Sequence, residues 1–166
     1  MELRSQDRRF GLVLSARHLR LLGERSTASW PNETGGILVG YYNKEHDTAF
    51  VTQLPPAPAD SVSSRTRFVR GLRGIAEMLA RLWSQPSEER EYYLGEWHCH
   101  PGQAPVPSPQ DEAQMRDFAK DTELRCPEPV LLIVGGTPSE WSVAARVYPR
   151  DAPPLQLLTP DARIKQ

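Results

Sequence analysis

One stretch of the chain, GEWHCHPGQAPVPSPQDEA at residues 95–113, carries most of its chemical information. His98 and His100 stand one residue apart within it. We predict a strand over residues 91–98. Because extended backbone sends alternate side chains to the same face, that strand would place both imidazoles on one side of a sheet. The stretch therefore predicts a pair of ligands at a strand end.

A helix is predicted shortly after these histidines. Ser108 followed by Pro109 is typical of a helix N-cap and first helical position. Asp111 then falls in the first turn of the helix, where its carboxylate can point back toward the imidazoles. Two imidazoles, one carboxylate and a fourth position left for water form the ligand set of a catalytic zinc site, whereas structural sites usually close with four protein ligands. His98, His100 and Asp111 are the predicted metal ligands.

Simpler explanations exist for each feature taken alone. Ser108 and Asp111 match a helix capping box, with Asp in place of the usual Glu. Paired histidines also occur on protein surfaces by chance. However, the chain has only four histidines, and two of them share this strand end. We therefore favour a metal site, a hypothesis that requires the strand–loop–helix context to be present.

At these residues the chain resembles the JAMM family of metalloproteases, also called the MPN-plus or JAB-domain family. The resemblance lies in HCHP at residues 98–101, in SPQD at residues 108–111, and in an upstream Glu within ETGGILVG at residues 33–40. It spans about residues 10–148. Cys99 departs from the family, which more often has Ser or Thr there. As an alternate residue of the strand, it is expected to point away from the metal site.

The resemblance implies a fold and a set of roles. The implied fold is α/β, with a mixed β-sheet flanked by helices, similar to that of cytidine deaminases. We expect one domain over residues 1–148 and a proline-rich C-terminal tail over residues 149–166. The implied cofactor is Zn²⁺, held by the three ligands named above. Glu33 would be the general base and then the general acid, and Ser108 would donate a hydrogen bond to the oxyanion.

Two carboxylates compete for the role of base. On its own, Glu33 is an ordinary surface carboxylate at a strand entrance, since exposed Glu is the norm. The resemblance favours the catalytic interpretation instead. Glu96 is the rival, because it lies two residues before His98 and shares its strand face. We interpret Glu96 as a residue that supports the metal ligands or lines the groove.

A proline-rich loop at residues 55–64 is predicted to face the substrate. Loops of this length in compact domains are more often functional than idle, and in JAMM proteins the corresponding insertion borders the substrate groove. The expected substrate-binding residues are Ser63, Ser64, Arg65 and Arg67. Apolar spacing predicts a long helix over residues 68–82. The arginines near its start form either a solvated face or a site for an acidic partner.

The remaining periodicity predicts further elements. Strands are predicted over residues 10–14, 48–54, 130–134 and 141–148, and a helix over residues 16–25. No element is predicted beyond Tyr148, where the periodicity is lost.

Composition limits the class of protein. The 166 residues suit one domain, and 20 basic against 21 acidic residues leave a net charge of −1, so no general affinity for nucleic acid or membrane follows. The first residues are charged and no apolar run reaches the length of a membrane span. Two cysteines do not suggest a disulfide framework. We expect a cytoplasmic protein.

Within the family, the chain resembles stand-alone bacterial JAB proteins, and among them the CD-NTase-associated deconjugases of CBASS antiphage operons. We therefore expect an isopeptidase that removes a ubiquitin-like tag or a conjugated CD-NTase-like protein from its target. One alternative is a hydrolase of a sulfur-carrier protein or another peptide conjugate. A metal-free MPN scaffold is a second alternative, although such scaffolds have usually lost a ligand. A DNA-repair-associated relative is disfavoured by the near-neutral charge.

Overall fold

The computed structural model of the chain describes residues 1–88 and 90–159. Its elements, in chain order, are β1 (Glu2–Ser5), β2 (Gly11–Val13), α1 (Ala16–Ser29), β3 (Thr34–Tyr42), β4 (Thr48–Gln53), β5 (Val62–Ser64), β6 (Arg67–Val69), α2 (Ile75–Ser84), β7 (Tyr92–Pro101), α3 (Pro109–Lys120), β8 (Val130–Thr137), β9 (Glu140–Val147) and β10 (Leu155–Leu158). Eight strands form one sheet in the order β1-β10-β9-β8-β7-β3-β4-β2, which closes because β1 also pairs with β2. β5 and β6 form a separate hairpin.

The sheet is mixed, and β7 lies at its centre. β7 pairs parallel with β8 and antiparallel with β3, and all of its residues except the first and last are buried. A strand buried on both faces is normally a nearly continuous apolar run. β7 instead holds three buried polar side chains, those of Glu96, His98 and His100. The predicted α/β fold with a mixed sheet is confirmed, and its central strand carries the predicted ligands.

Helices cover both faces of this sheet. Leu22 of α1 packs in one core cluster with Trp97 of β7. On the other face, Leu79 of α2 packs with Tyr93, and Met115 of α3 packs on β8. Burial of such large apolar side chains stabilises the fold by roughly 1.5–3 kcal/mol each. No helix among the described residues is long and apolar enough to cross a membrane.

An extra residue in β7 decides which of its side chains share a face. The pairing of β7 with β3 slips by one residue at Leu94, which has no partner on that strand. Such a bulge places two residues of one strand opposite one residue of the other. As a result Tyr93 joins Glu96, His98 and His100 on the face covered by α2 and α3, although simple alternation would put Tyr93 on the opposite face.

The long helix predicted over residues 68–82 is wrong in its first part. Residues at its start form β6, and α2 begins only at Ile75. Gly74 has a left-handed backbone with φ 79°, and the Asp60 carboxylate accepts two backbone N–H groups from residues 70–74. These local interactions replace helical hydrogen bonds. The apolar spacing does hold over the part of the segment that is helical.

The C-terminal segment adds a strand that the sequence pattern did not predict. β10 lies between β1 and β9 and completes the closed sheet. It falls within the segment interpreted as a proline-rich tail, of which residues 160–166 lie outside the described residues. A strand of four residues, LQLL, has too little alternation to be recognised, and its partners lie far away in the sequence. The domain boundary at residue 148 stays a prediction.

Candidate metal centre

The three predicted ligands lie together at the end of β7. His98 and His100 are 4% and 5% exposed, and Asp111, from the first turn of α3, is 6% exposed. His98 Nδ1 lies 2.7 Å from Asp111 Oδ1, and His100 Nε2 lies 3.3 Å from Asp111 Oδ2. One candidate ligand atom from each residue lies within 4.8 Å of the other two. The cluster is therefore close enough to share one ion.

The start of α3 fixes the Asp111 carboxylate. Ser108 Oγ accepts the Asp111 N–H at 3.2 Å, while Asp111 Oδ2 accepts the Ser108 N–H at 2.7 Å. This is a capping box, so the simpler interpretation of these two residues is correct. It does not compete with the metal interpretation, because the same box leaves Asp111 Oδ1 directed at His98.

The loop after β7 fixes the tautomer of His100. Its Nδ1 lies 3.0 Å from the Val106 carbonyl oxygen, which can only accept, so Nδ1 carries the proton. The Nε2 lone pair then faces Asp111. A backbone carbonyl that holds the second ring nitrogen in this way is typical of metal-ligating histidines.

The charges of this cluster are unbalanced. Burial alone would raise the pKa of Asp111, but the adjoining imidazoles of His100 and His98 hold that pKa well below its usual range. Glu33 adds a second carboxylate nearby. Among residues 1–88 and 90–159, neither carboxylate forms an ion pair with an arginine or a lysine. Two carboxylates beside two imidazoles, with nitrogen and oxygen donors at the cluster, fit a divalent cation such as zinc.

Glu33 lies directly before β3 and lines the same cavity as His100 and Asp111. Its partial burial raises the pKa of its carboxyl, the histidines oppose this shift, and Asp111 adds to it. The β5–β6 hairpin holds its backbone: the Glu33 N–H donates to the Ser64 carbonyl at 2.7 Å, and Ser63 Oγ donates to the Glu33 carbonyl. The position of the Glu33 backbone thus depends on the hairpin.

A cavity of about 430 Å³ opens over the cluster. The hairpin forms one wall and the loop after β7 forms the other. Of the predicted substrate-binding residues, Arg67 lines this cavity, Ser63 and Ser64 contact the backbone of Glu33, and Arg65 is exposed at the hairpin turn.

Phe68 is a cavity residue that the sequence analysis missed. It is 7% exposed, and its ring lies 5.8 Å from that of His98 in an edge-to-face arrangement. No sequence pattern indicated this strand, because its buried face holds Phe68 and the charged Arg70 while the apolar Val69 is exposed. Gly35 makes room for this ring, since a Cβ there would lie 2.7 Å from it.

Glu96, the rival base, is placed differently. Its carboxylate is fully buried, and both of its oxygens lie 3.0 Å from Arg70 Nε. The Tyr93 hydroxyl donates to it at 2.9 Å. Glu96 does not line the cavity, whereas Glu33 does. Cys99 packs in the core on the opposite face of β7, as expected of an alternate residue.

Fold and site together define a class of protein. A mixed sheet presents two histidines of its central strand to an aspartate at the start of a helix, and a glutamate lies directly before the adjoining strand. The family described as prokaryotic homologs of the JAB domain matches residues 15–147. The chain belongs to this family.

Similar proteins agree with this assignment. The chain is 37% identical over 154 residues to a CD-NTase/cGAS isopeptidase of Enterobacter hormaechei subsp. hoffmannii, which covers 92% of this chain and 83% of the relative. It is 29% identical to a probable metalloprotease of Sinorhizobium fredii, over 66% of each chain. The solution structure of protein DSY2949 from Desulfitobacterium hafniense shares the fold, with a TM-score of 0.58 and 19% identity over 87% of this chain and 88% of that one. The protein is a hydrolase of the deconjugase type.

Proposed function

We propose that the protein is a zinc-dependent isopeptidase that cleaves after the C-terminal residue of a CD-NTase-like or ubiquitin-like protein joined to a target. The observation that carries the hydrolytic part is the buried cluster of His98, His100 and Asp111 with Glu33 lining the same cavity. The choice of a CD-NTase-like protein rests on the name of the Enterobacter relative. On the same ground we propose a role in a cytoplasmic antiphage conjugation system.

The roles of the ligands follow from their donors. His98, His100 and Asp111 would hold the ion, leaving one position open toward the cavity. When bound there, zinc supplies Lewis-acid chemistry, since it polarises a carbonyl and lowers the pKa of a bound water from ~15.7 toward ~7. The Val106 carbonyl keeps His100 in the tautomer that can bind it.

Glu33 is the proposed proton carrier. Its carboxylate would take a proton from the attacking water and deliver it to the leaving amine. A base works best with a pKa near the working pH, and partial burial shifts the pKa of Glu33 in that direction. This type of catalysis typically contributes 10²- to 10⁴-fold. Glu33 contacts the cavity without being part of the ligand cluster, as the role requires.

Ser108 is the proposed oxyanion donor. It has one hydroxyl proton, which in this structure is donated to Asp111 Oδ2 at 2.7 Å. Ser108 must therefore rotate that proton toward the cavity before it can stabilise the tetrahedral intermediate. Capping does not prevent this, because the cap uses the Ser108 oxygen as an acceptor.

The charge of one cavity wall favours a substrate segment with acidic residues. The region 61–76 holds four arginines and no acidic residue. Arg65 and Arg67 are exposed, and Arg67 lines the cavity. Positive charge placed there would attract a tail with acidic residues near the cleaved bond, chiefly by speeding encounter. We propose that Ser63, Ser64, Arg65 and Arg67 contact this tail.

The proposal is tested by incubating zinc-loaded protein with three conjugates: one through a CD-NTase-like C-terminus, one through a ubiquitin-like protein and one through a sulfur-carrier protein. Mass spectrometry should identify an intact C-terminus on the released CD-NTase-like protein. Chelator should stop the reaction and added zinc should restore it. Preferential cleavage of the sulfur-carrier conjugate would favour the alternative substrate. Folded, zinc-loaded protein that cleaves none of the three would contradict the proposal.

A further inference from the structure

Phe68 of β6 and Arg70, the residue directly after β6, each contact one side chain of β7. Phe68 contacts His98, and two residues further along, Arg70 contacts Glu96, two residues before His98. The hairpin and the central strand therefore meet through a side-chain ladder with a defined register. No backbone pairing joins the two, since the hairpin forms its own two-stranded sheet.

The contact between Arg70 and Glu96 is the specific one in this ladder. The side chains are 4% and 0% exposed, and Arg70 Nε lies 3.0 Å from each Glu96 oxygen. Arg70 also donates to the Gly71 carbonyl at 3.0 Å, and its guanidinium lies 5.6 Å from the centre of the Phe118 ring. Charge-assisted hydrogen bonds of this kind are directional, whereas a contact between apolar groups tolerates sliding.

The hairpin is joined to the backbone of Glu33 by two hydrogen bonds. The Ser64 carbonyl accepts the Glu33 N–H, and Ser63 Oγ donates to the Glu33 carbonyl. A shift of the hairpin along β7 would therefore move the Glu33 carboxylate relative to the histidines.

We propose that the buried Arg70–Glu96 ion pair is a positioning pair, which fixes the β5–β6 hairpin on β7 and thereby sets the distance of Glu33 from the metal centre. The catalytic part of this inference rests on the proposed function. Arg70 and Glu96 themselves do not touch the substrate. If the pair only stabilised the fold, as any buried ion pair could, the two experiments below would give different results.

The first test uses Glu96→Gln in the full, zinc-loaded chain, with hydrogen exchange read by mass spectrometry. We expect faster amide exchange in residues 61–70 and at Glu33, with one zinc per chain retained. Arg146→Met is the control, because it breaks the ion pair with Glu112, which does not involve the hairpin. Unchanged exchange of the hairpin in Glu96→Gln would overturn the proposal, whether or not any conjugate is cleaved.

The second test separates positioning from stability. The double variant Arg70→Met/Glu96→Leu replaces the buried pair with apolar groups, a change that often preserves stability. We expect its Tm to stay within a few degrees of the wild type while kcat falls by about 10²-fold, the loss typical of a 1 Å displacement of a catalytic group. Wild-type kcat in a variant with the wild-type Tm would overturn the proposal. If the double variant does not fold, the exchange measurement on Glu96→Gln decides alone.

Failure of the proposed function would look different from failure of this inference. Wild-type protein that cleaves no conjugate would remove the function, while local exchange in Glu96→Gln would still report on the positioning pair. Active wild-type protein with an equally active Glu96→Gln variant would leave the function in place and remove the inference.

Discussion

Two charged clusters lie side by side on one face of β7, and they are built in opposite ways. The cluster at Glu96 is closed: a fully buried carboxylate meets a guanidinium and a tyrosine hydroxyl. The cluster at His98 and His100 is open to a cavity of about 430 Å³ and holds two carboxylates with neither an arginine nor a lysine paired to them within the described residues. The charges of the closed cluster are matched within the chain, whereas the arrangement of the open cluster is compatible with a bound cation.

The difference also explains why the same strand can carry both clusters. Burying a charge is costly unless it is paired and hydrogen-bonded, and the closed cluster meets this condition through Arg70. The open cluster is hydrogen-bonded, through the capping box of Ser108 and Asp111 and through the Val106 carbonyl, but its carboxylates have no arginine or lysine partner within the described residues. We expect substitutions in the closed cluster to act first on stability and hairpin position, and those in the open cluster to act on catalysis and metal binding.

The largest effect is expected for Glu33→Gln. The amide cannot carry the proton, so kcat should fall by roughly 10²- to 10⁴-fold. Zinc content should stay at one per chain, because Glu33 is not among the clustered ligands. Steady-state kinetics combined with metal analysis checks both. Retained turnover in Glu33→Gln, together with complete loss in Glu96→Gln, would assign the base to the closed cluster.

A large change in stability is expected for Glu96→Ala. Removing one partner leaves the Arg70 guanidinium buried without its carboxylate, which typically costs about 3–5 kcal/mol. Urea denaturation of the metal-free protein measures this free energy of unfolding. A loss below about 1 kcal/mol, the range of exposed ion pairs, would mean that the closed cluster is hydrated in solution.

Ser108→Ala tests the residue shared by the capping box and the proposed oxyanion site. We expect kcat to fall by roughly 10²- to 10³-fold, as when other oxyanion donors are removed. The loss of the cap should lower the free energy of unfolding by only about 1 kcal/mol. Comparing kinetics with denaturation separates the two roles. A stability loss without a change in kcat would restrict Ser108 to capping.

The smallest effect is expected for Arg65→Glu/Arg67→Glu, which reverses the charge on the exposed part of the hairpin. kcat/KM for an acidic conjugate should fall about tenfold at low salt, and the difference should shrink as the ionic strength rises. Assays across a salt series provide the measurement. Arg17→Glu/Lys44→Glu, at two exposed positions that do not line the cavity, is the control because it changes the net charge by the same amount. Equal effects of the two variants would remove the hairpin from substrate recognition.

Much of the site could be predicted from the sequence because its residues stand close together in it. His98, His100, Ser108 and Asp111 fall within one strand, loop and helix, so local rules are sufficient to group them. The mixed α/β fold was implied by the family resemblance, while local patterns located several of its strands and helices. Glu33 was identified from the family motif, since its carboxylate looks ordinary without it.

The remaining features depend on contacts between distant segments. Arg70 and Glu96 lie 26 residues apart, and no periodic pattern shows that one covers the other. The segment before Gly74 is kept out of the predicted helix by its pairing with β5 and by the Asp60 carboxylate, which accepts two of its backbone N–H groups. β10 is held by backbone pairing with β1 and β9, which lie far from β10 or from each other in the sequence. Local propensity is overridden in each case by tertiary pairing.

The central claim, that one divalent ion is held by three side chains at the end of β7, is tested most directly by diffraction at the zinc absorption edge from crystals grown with zinc. We predict a single strong anomalous peak bonded to His98, His100 and Asp111 at about 2.0–2.2 Å, with Glu33 near it but outside the bonded set. A zinc-rich crystal with no peak there, or with these side chains turned away from one another, would contradict the account.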